Sequence, residues 1–557
     1  MKNYFKDLNV SINTLLIFSS IYIVLFNNFT FWREFNKALN GNNVDNIFTL
    51  ISFFMLVTTL LYLMLILLST KNTAKPVIVT FIILSSVISY FIDDLGSVIS
   101  YSMIQNIIET DSSEALDLLS LSFVLHLIVY GIIPSIIVLL IKLRFTSFKN
   151  EAISRLIFIS ILCIVTTSSV LYSYKEISYV GREHRELRYY INPIYPIVSL
   201  YKHLRISSDN NNSTLKVVFD DATLIPKISS NGNHKVLILV VGETARAANF
   251  GLNQYQRNTT PLLSKKSIIN FNNTSSCGTA TAKSLPCMFS DIDKENYEKD
   301  NVRYRENLLD ALKYAGYDVL WRENNSGCKG VCKRINTQIM RDVVGAELCD
   351  SGECFDEALL YDLQNKINNI TQDTVIILHQ QGSHGPAYYK RVPDEFVKFT
   401  PQCSTKDVQN CNIKEVVNSY DNTILYTDFL LSSIINILQD TTAEINSSMI
   451  YISDHGESLG EKGIYLHGLP YFMAPKEQTH IPFIVWLSED TVNTKNLDYN
   501  CLKNNQSNLY THDNLFHSVL GLMDVKTTAY QSELDIFSTC ITGYVDDVPK
   551  SDNVNTI

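Results

Sequence analysis

Three short apolar runs beyond residue 234 of this chain end in residues that can hold a cation. Lys235-Val-Leu-Ile-Leu-Val-Val241 leads into Gly242-Glu243-Thr244, and Asp373-Thr-Val-Ile-Ile-Leu378 into His379-Gln-Gln-Gly-Ser-His384-Gly-Pro. Ser448-Met-Ile-Tyr-Ile-Ser453 leads into Asp454-His455-Gly-Glu457. Carboxylate oxygen and imidazole nitrogen meeting at strand ends are the donors of a zinc site. An acid and a histidine closing a buried strand cost stability unless something there needs charge. Each residue also has a plainer reading by itself. Asp454 could cap a helix, Glu243 could be a first-turn acid favoured by the helix dipole, and His384 and His467 could be solvated loop residues. The combination is what favours a metal.

A nucleophile has to come from elsewhere. Cys277-Gly-Thr-Ala-Thr281-Ala-Lys-Ser-Leu-Pro-Cys287 is a hydroxyl-rich loop that leads into a helix start. A threonine at that point sits by helix N–H groups, which favour a developing alkoxide and a bound phosphate. A neighbouring metal would lower its pKa further. Taken alone, Thr279, Thr281 and Ser284 read as ordinary caps.

These residues need a scaffold that brings strand ends together. Besides the three strands above, Ile481–Trp486 and Tyr317–Trp321 read as strands, and 304–315, 354–369 and 414–439 as helices. Continuous apolar strands with helical crossovers predict an α/β domain with a mainly parallel sheet. In such sheets, ligands bind beyond the carboxyl ends of the strands.

The first third of the chain is different. Apolar stretches at roughly 12–31, 47–69, 76–93, 118–142 and 154–173 are each near the ~20 residues that cross a bilayer. The first is too long for a signal-peptide core and lacks a cleavage site, so it reads as a span. Lys2, Lys6, Lys71, Lys75, Lys142, Arg144, Lys149 and Arg155 fall on one side, and only Arg33 and Lys37 on the other. The N-terminus is then cytoplasmic, and the chain beyond about residue 174 lies outside.

Cysteine usage agrees with export. Of 11 cysteines, Cys163 is mid-helix and the other ten lie beyond residue 270. Cys277 and Cys287, Cys328 and Cys332, Cys349 and Cys354, and Cys403 and Cys411 are close pairs, which leaves Cys501 and Cys540. Five disulfides with neighbour pairing is the simplest arrangement, although spacing leaves the connectivity open. A zinc ribbon at Cys328/Cys332 and Cys349/Cys354 is the alternative, and no companion histidines stand near it. The net charge of −10 argues against nucleic acid as a partner.

The expected organisation is a transmembrane domain (1–173), a bridge (174–234), an outer catalytic domain (235–546) and a polar tail (547–557). The bridge contains an amphipathic helix around Tyr189, Tyr190 and Tyr195, with loops at 207–214 and 229–233.

Five segments together carry a resemblance: Val-Val-Gly-Glu243-Thr-Ala-Arg, Cys277-Gly-Thr-Ala-Thr281-Ala-x-Ser-x-Pro-Cys, Asn-Asn-Ser326-Gly-Cys-Lys329-Gly-Val, Gly-Ser-His384-Gly-Pro and Ser-Asp454-His455-Gly-Glu. Tyr-Leu-His467-Gly-Leu-Pro-Tyr follows. The outer domain resembles the alkaline phosphatase/sulfatase superfamily. The whole chain is similar to the lipid A phosphoethanolamine transferases, including the mobile colistin resistance enzymes. The resemblance implies transfer of phosphoethanolamine from phosphatidylethanolamine to lipid A or another lipopolysaccharide acceptor, by a monomer in the bacterial inner membrane with its catalytic domain in the periplasm. It implies Thr281 as the acceptor of the group, and Glu243, Asp454 and His455 as its partners on Zn2+. His384 and His467 would contact the donor phosphate, move protons, or hold a second zinc in some forms. Ser326 and Lys329 would lie near the phosphoethanolamine group, and Asn106, Thr110 and Glu114 would meet the ethanolamine head from one face of a helix.

Three rival readings remain. A lipoteichoic-acid synthase looks similar but transfers glycerophosphate, and ten exported cysteines speak against it. A sulfatase needs a Cys/Ser-x-Pro-x-Arg motif that Thr281-Ala-Lys-Ser-Leu does not provide. A non-catalytic membrane receptor would not need Glu243, Thr281, Asp454 and His455 intact.

Overall fold

Among the described residues, four helices, all in the first third of the chain, are long and apolar enough to cross a membrane: Asn46–Leu68, Ala74–Asp94, Leu121–Leu140 and Lys149–Tyr172. The computed structural model describes residues 9–39, 44–110, 112–210, 214–226, 233–297, 302, 304–344, 348–350, 353–442 and 444–542. The chain divides into two compact units. The first comprises Met1–Asn211 together with Cys403–Val416 and Ser458–Ala474, and the second holds the remainder.

In the first unit, the expected span at 12–31 is not one helix. Ile12–Phe26 and Phe29–Ala38 meet at 67°, and counting the pair as one span brings the total to five. The bend has a side-chain cause. Asn28 Nδ2 donates to Ile23 O at 3.0 Å and so closes the first helix, while the Thr30 N–H opens the second by donating to Asp93 Oδ1 at 2.8 Å. Buried Asn192 then bridges both sides of the break, donating from Nδ2 to Asn27 O at 2.9 Å and from its N–H to Asn28 Oδ1 at 2.8 Å.

Lys149–Tyr172 is only 6% buried across its most apolar window, and Leu156, Ile157, Ile161 and Ile164 are exposed. A helix that is apolar all round and left uncovered needs an apolar solvent. Its inner face is held by hydroxyl pairs, Ser52 to Ser169 at 2.7 Å and Thr59 to Thr166 at 2.8 Å.

The two later segments of this unit pack on its loops. The Tyr465 N–H donates to Leu95 O at 3.0 Å, and Lys406 pairs with Asp117 at 3.0 Å. The expected amphipathic helix around Tyr189 is instead a short 3-10 turn, Arg185–Tyr190, with Tyr189 buried, and a separate helix Ile194–Asn210 follows. That helix takes in the start of the expected 207–214 loop. Residues 211–213, most of the 229–233 loop and the polar tail lie outside the described residues.

The second unit is built on a seven-stranded sheet: β1 His234–Gly242, β2 Ile268–Asn270, β3 Asp318–Glu323, β4 Asn336–Ile339, β5 Thr374–His379, β6 Ile445–Ser453 and β7 Phe483–Leu487. The spatial order is β2-β7-β6-β1-β5-β3-β4. β1 is central, and Val236 to Val241 are fully buried, which accounts for its continuous apolar run. Strands β6, β1, β5, β3 and β4 are mutually parallel, whereas β7 is antiparallel to both β6 and β2. The sheet is therefore mixed: four of its six pairings are parallel and the two made by β7 are antiparallel, so the expected mainly parallel sheet holds except around β7. No long helix intervenes between Ser453 and Phe483, so the chain re-enters from the end at which it left.

Pro482 divides the expected strand 481–486. His480–Ile481 pairs with Thr274–Ser275 in a small sheet, and only Phe483–Leu487 joins the main one. The expected helix 354–369 is likewise two pieces, Asp356–Leu360 and Leu363–Asn368, separated where Asp362 takes a left-handed conformation (φ 53°). The helix expected from 304 begins at Leu308, behind a capping box of Asn307 and Asp310. The long helix Ile413–Gln439 connects β5 to β6. All five neighbour-paired disulfides are formed, and Cys163 is free.

Candidate metal and nucleophile site

The carboxyl ends of β1, β5, β6 and β3 lie along one edge of the sheet. Gly242 ends β1 and delivers Glu243, and Ser453 ends β6 and delivers Asp454 and His455. Thr281 opens the helix Thr281–Met288. All four side chains are buried: Glu243 at 1%, Thr281 at 6%, and Asp454 and His455 at 0% exposure.

They converge on one point. Thr281 Oγ1 lies 3.2 and 3.1 Å from the two Glu243 oxygens and 3.2 Å from His455 Nε2. Glu243, Asp454 and His455 each offer a ligand atom within 4.8 Å of the others. His455 Nδ1 is 2.9 Å from Gly456 O, which can only accept, so the proton of a neutral ring sits on Nδ1 and Nε2 presents its lone pair. That lone pair faces Asp454 Oδ2 at 3.3 Å and Glu243 Oε1 at 3.6 Å. Asp454 Oδ1 accepts N–H bonds from Thr244 and His455, but the buried Oδ2 makes no hydrogen bond. Electron pairs packed this closely away from water are relieved by a bound cation or by a proton. The donor set fits zinc, with two carboxylates and one imidazole leaving a fourth position beside the threonine hydroxyl.

Four further residues, Asn325, Glu323, His379 and His512, set this geometry and were given no role from the sequence. Asn325, just past β3, donates from Nδ2 to Glu243 Oε2 at 2.9 Å. Its own N–H donates to Glu323 Oε1 at 2.7 Å, and Glu323 is gripped by His379 Nδ1 at 2.9 Å. Burial pushes the Glu323 carboxyl up, but His379 and the hydrogen bonds outweigh it and hold the group below its ordinary range. His512 accepts from the Cys277 N–H at 3.1 Å and donates to Ser453 O at 2.9 Å, so one imidazole clamps the threonine loop to the strand carrying Asp454. Burial pushes His512 down to about 4, which keeps it neutral and able to do both. The Cys277–Cys287 disulfide ties the same loop across the helix start.

The other expected residues divide between the units. His384 follows Ser383, whose N–H donates to Glu243 O at 3.0 Å, so the β5 loop is fastened to the same strand end. Lys329 Nζ donates to Ser326 O and Oγ at 3.0 Å, in a loop where Lys329 is left-handed (φ 48°). His467 belongs to the first unit, in Ser458–Ala474, as do Asn106, Thr110 and Glu114. The expected single helix face for those three is broken. Thr110 turns extended at the end of Tyr101–Glu109 and donates from Oγ1 to Asn106 O at 2.6 Å, and a separate helix, Ser112–Asp117, carries Glu114. The Glu114 side chain lies outside the described residues.

Two family models match the chain, one described as phosphoethanolamine transferase EptA/EptB over residues 57–207 and one as sulfatase over 235–525. The chain is 38% identical over 547 residues to phosphoethanolamine transferase EptA of Escherichia coli (strain K12), covering 97% of this chain and 99% of that protein. It is 35% identical over 533 residues to phosphatidylethanolamine transferase Mcr-1 of Escherichia coli, covering 93% and 96%. The solved integral membrane lipooligosaccharide phosphoethanolamine transferase A (EptA) of Neisseria meningitidis matches with a TM-score of 0.90 at 33% identity, covering 95% of this chain and 98% of that one.

Proposed function

This chain belongs to the EptA/EptB family of phosphoethanolamine transferases, and we propose that it moves phosphoethanolamine from phosphatidylethanolamine to the lipid A region of lipopolysaccharide through Thr281. The donor follows the relative named for phosphatidylethanolamine, and the acceptor follows the one named for lipooligosaccharide. The observation that carries the mechanism is the Thr281 hydroxyl lying 3.1–3.2 Å from Glu243 and His455 at the strand ends.

Thr281 Oγ1 attacks the donor phosphorus as its proton passes to the surrounding bases. The bond from phosphorus to the diacylglycerol oxygen breaks, that oxygen takes up a proton, and phosphoethanolamine stays on Thr281. A lipid A phosphate oxygen then attacks the same phosphorus, and Thr281 leaves and regains its proton. Glu243, Asp454 and His455 would hold zinc beside Thr281, and a bound zinc ion would stabilise negative charge on the threonine and phosphoryl oxygens. His384 supplies or removes protons at the glycerol or acceptor oxygen. Ser326 and Lys329 would lie near the phosphoethanolamine group, a role that rests on the resemblance of their motif. The roles given to His467, Asn106, Thr110 and Glu114 rest on the resemblance of their motifs. A periplasmic outer unit is supported by the one-sided lysines and arginines and by the five disulfides.

The test is to incubate the full-length chain with phosphatidylethanolamine and digest it. A phosphoethanolamine mass gain is expected on the Thr281 peptide, absent in Thr281→Ala and retained in Thr281→Ser. Transfer activity surviving in Thr281→Ala would remove Thr281 as the nucleophile.

A further inference from the structure

A second concave site lies in the first unit, at the end of the spans that the positive-inside rule assigns to the cytoplasm. Three stretches far apart in sequence build it. Asn9–Ser11 pairs in parallel with Lys142–Arg144, which joins the approach to the first helix to the loop after Leu140. Lys75 Nζ donates to Leu139 O at 2.7 Å, latching the loop between the second and third long helices to the same place. Lys71 lies over the Phe145 ring at 5.5 Å. Together they line an open groove of about 570 Å³, bordered by Asn9, Lys71, Lys75, Lys142, Leu143 and Phe145, among others.

The chemistry of the lining is two-sided. Three lysines and two amides, from Asn9 and Asn72, face Pro76, Leu139, Leu143 and Phe145, and no acidic residue lines the groove among the described residues. Lys75 is engaged in the wall, which leaves Lys71 and Lys142 to offer charge. Directly beside the groove, Leu68 and Leu139 are each 53% exposed on apolar spans. A soluble anion would use the lysines and leave this apolar wall without a partner. A molecule with an anionic head and a hydrocarbon tail satisfies both.

We propose that this groove binds the headgroup of an anionic phospholipid of the cytoplasmic leaflet, with phosphate at Lys71 and Lys142 and acyl chains along the exposed leucines. This site is separate from the transfer chemistry and takes a different lipid class from the zwitterionic donor.

Native mass spectrometry of the full-length chain in detergent with an equimolar mixture of phosphatidylglycerol and phosphatidylethanolamine tests it. Phosphatidylglycerol should be retained on the wild-type chain alongside the phosphatidylethanolamine held at the donor site. The combined change Lys71→Gln and Lys142→Gln should weaken that retention about fivefold for each lysine neutralised. Lys149→Gln, outside the lining, should leave it unchanged. No loss of phosphatidylglycerol in the double variant, or an equal loss of both lipids, overturns the proposal. Displacement of phosphatidylglycerol by inorganic phosphate also overturns it, because the site would then be one for soluble phosphate. Should the double variant fail to fold, the unmodified chain decides: with phosphatidylethanolamine already saturating, added phosphatidylglycerol must raise the melting midpoint further, and no further rise overturns the proposal.

Discussion

The side-chain amide of Asn325 donates to Glu243 Oε2 at 2.9 Å and to Gln380 O at 2.8 Å, so a residue that follows β3 aims a carboxylate that follows β1. The amide orients Glu243 without filling a metal position, leaving Oε1 turned toward His455. Glu323 and His379 brace Asn325 in turn. Outer partners of this kind decide how well a ligand set is pre-formed.

Asn325→Ala should weaken zinc binding by about 10- to 100-fold while the fold survives. A titration against a competing chelator measures this, with circular dichroism as the folding control. Wild-type affinity in the variant would mean that Glu243 is held without the amide.

Gly382 packs directly on Glu243. Its φ is +56°, and a Cβ there would lie 2.7 Å from Glu243 O. Gly382→Ala forces either the loop or the carboxylate to shift, so transfer activity should fall by about tenfold or more, a barrier increase of about 1.4 kcal/mol or more. The melting midpoint should drop as well, because the left-handed conformation now carries a side chain. A fully active alanine variant would show that the β5 loop can move without disturbing the site.

His517 gives an acid-sensitive contribution away from the metal ligands. It is buried, its Nδ1 accepts from the Gln531 N–H at 3.1 Å, and burial pushes it down to about 4. The unfolded chain binds this proton near pH 6.5, so the contribution is whole above pH 6.5 and is lost as the pH falls toward 4. The full loss is about 3 kcal/mol at most. Asp428 and Asp535 are pushed up to about 6 by burial and act in the opposite sense. The informative quantity is therefore the difference between wild type and His517→Gln. Melting midpoints of the two should converge between pH 6.5 and 4, and a constant gap would contradict the assignment.

The disulfides should differ in weight according to the loops they close. Cys501–Cys540 spans 39 residues of sequence and Cys328–Cys332 spans 4. Chain entropy assigns the longer loop about 4 kcal/mol and the shorter about 2 kcal/mol. Paired serine substitutions, compared by urea unfolding, should rank in that order. The reverse ranking would show that local packing outweighs loop closure.

Much of this molecule was legible from short stretches of sequence. Long apolar runs mark the membrane helices because a bilayer demands ~20 apolar residues in succession. Cysteine partners stood close together in four of the five pairs, so local spacing carried the disulfide pattern. Buried strands announced themselves as unbroken aliphatic runs, and the polar residues at their ends were conspicuous by contrast. Tertiary structure alone decided the rest. Asn325 is 82 residues from Glu243, and His512 is 235 from Cys277 and 59 from Ser453, so neither clamp has a local signature. The direction of β7 follows from where the chain re-enters the sheet. The bend after Phe26 follows from Asn192, which is 164 residues from Asn28. Hydrophobic pattern reports which residues must leave water, whereas the partner a polar atom meets is set only when distant strands and loops have packed.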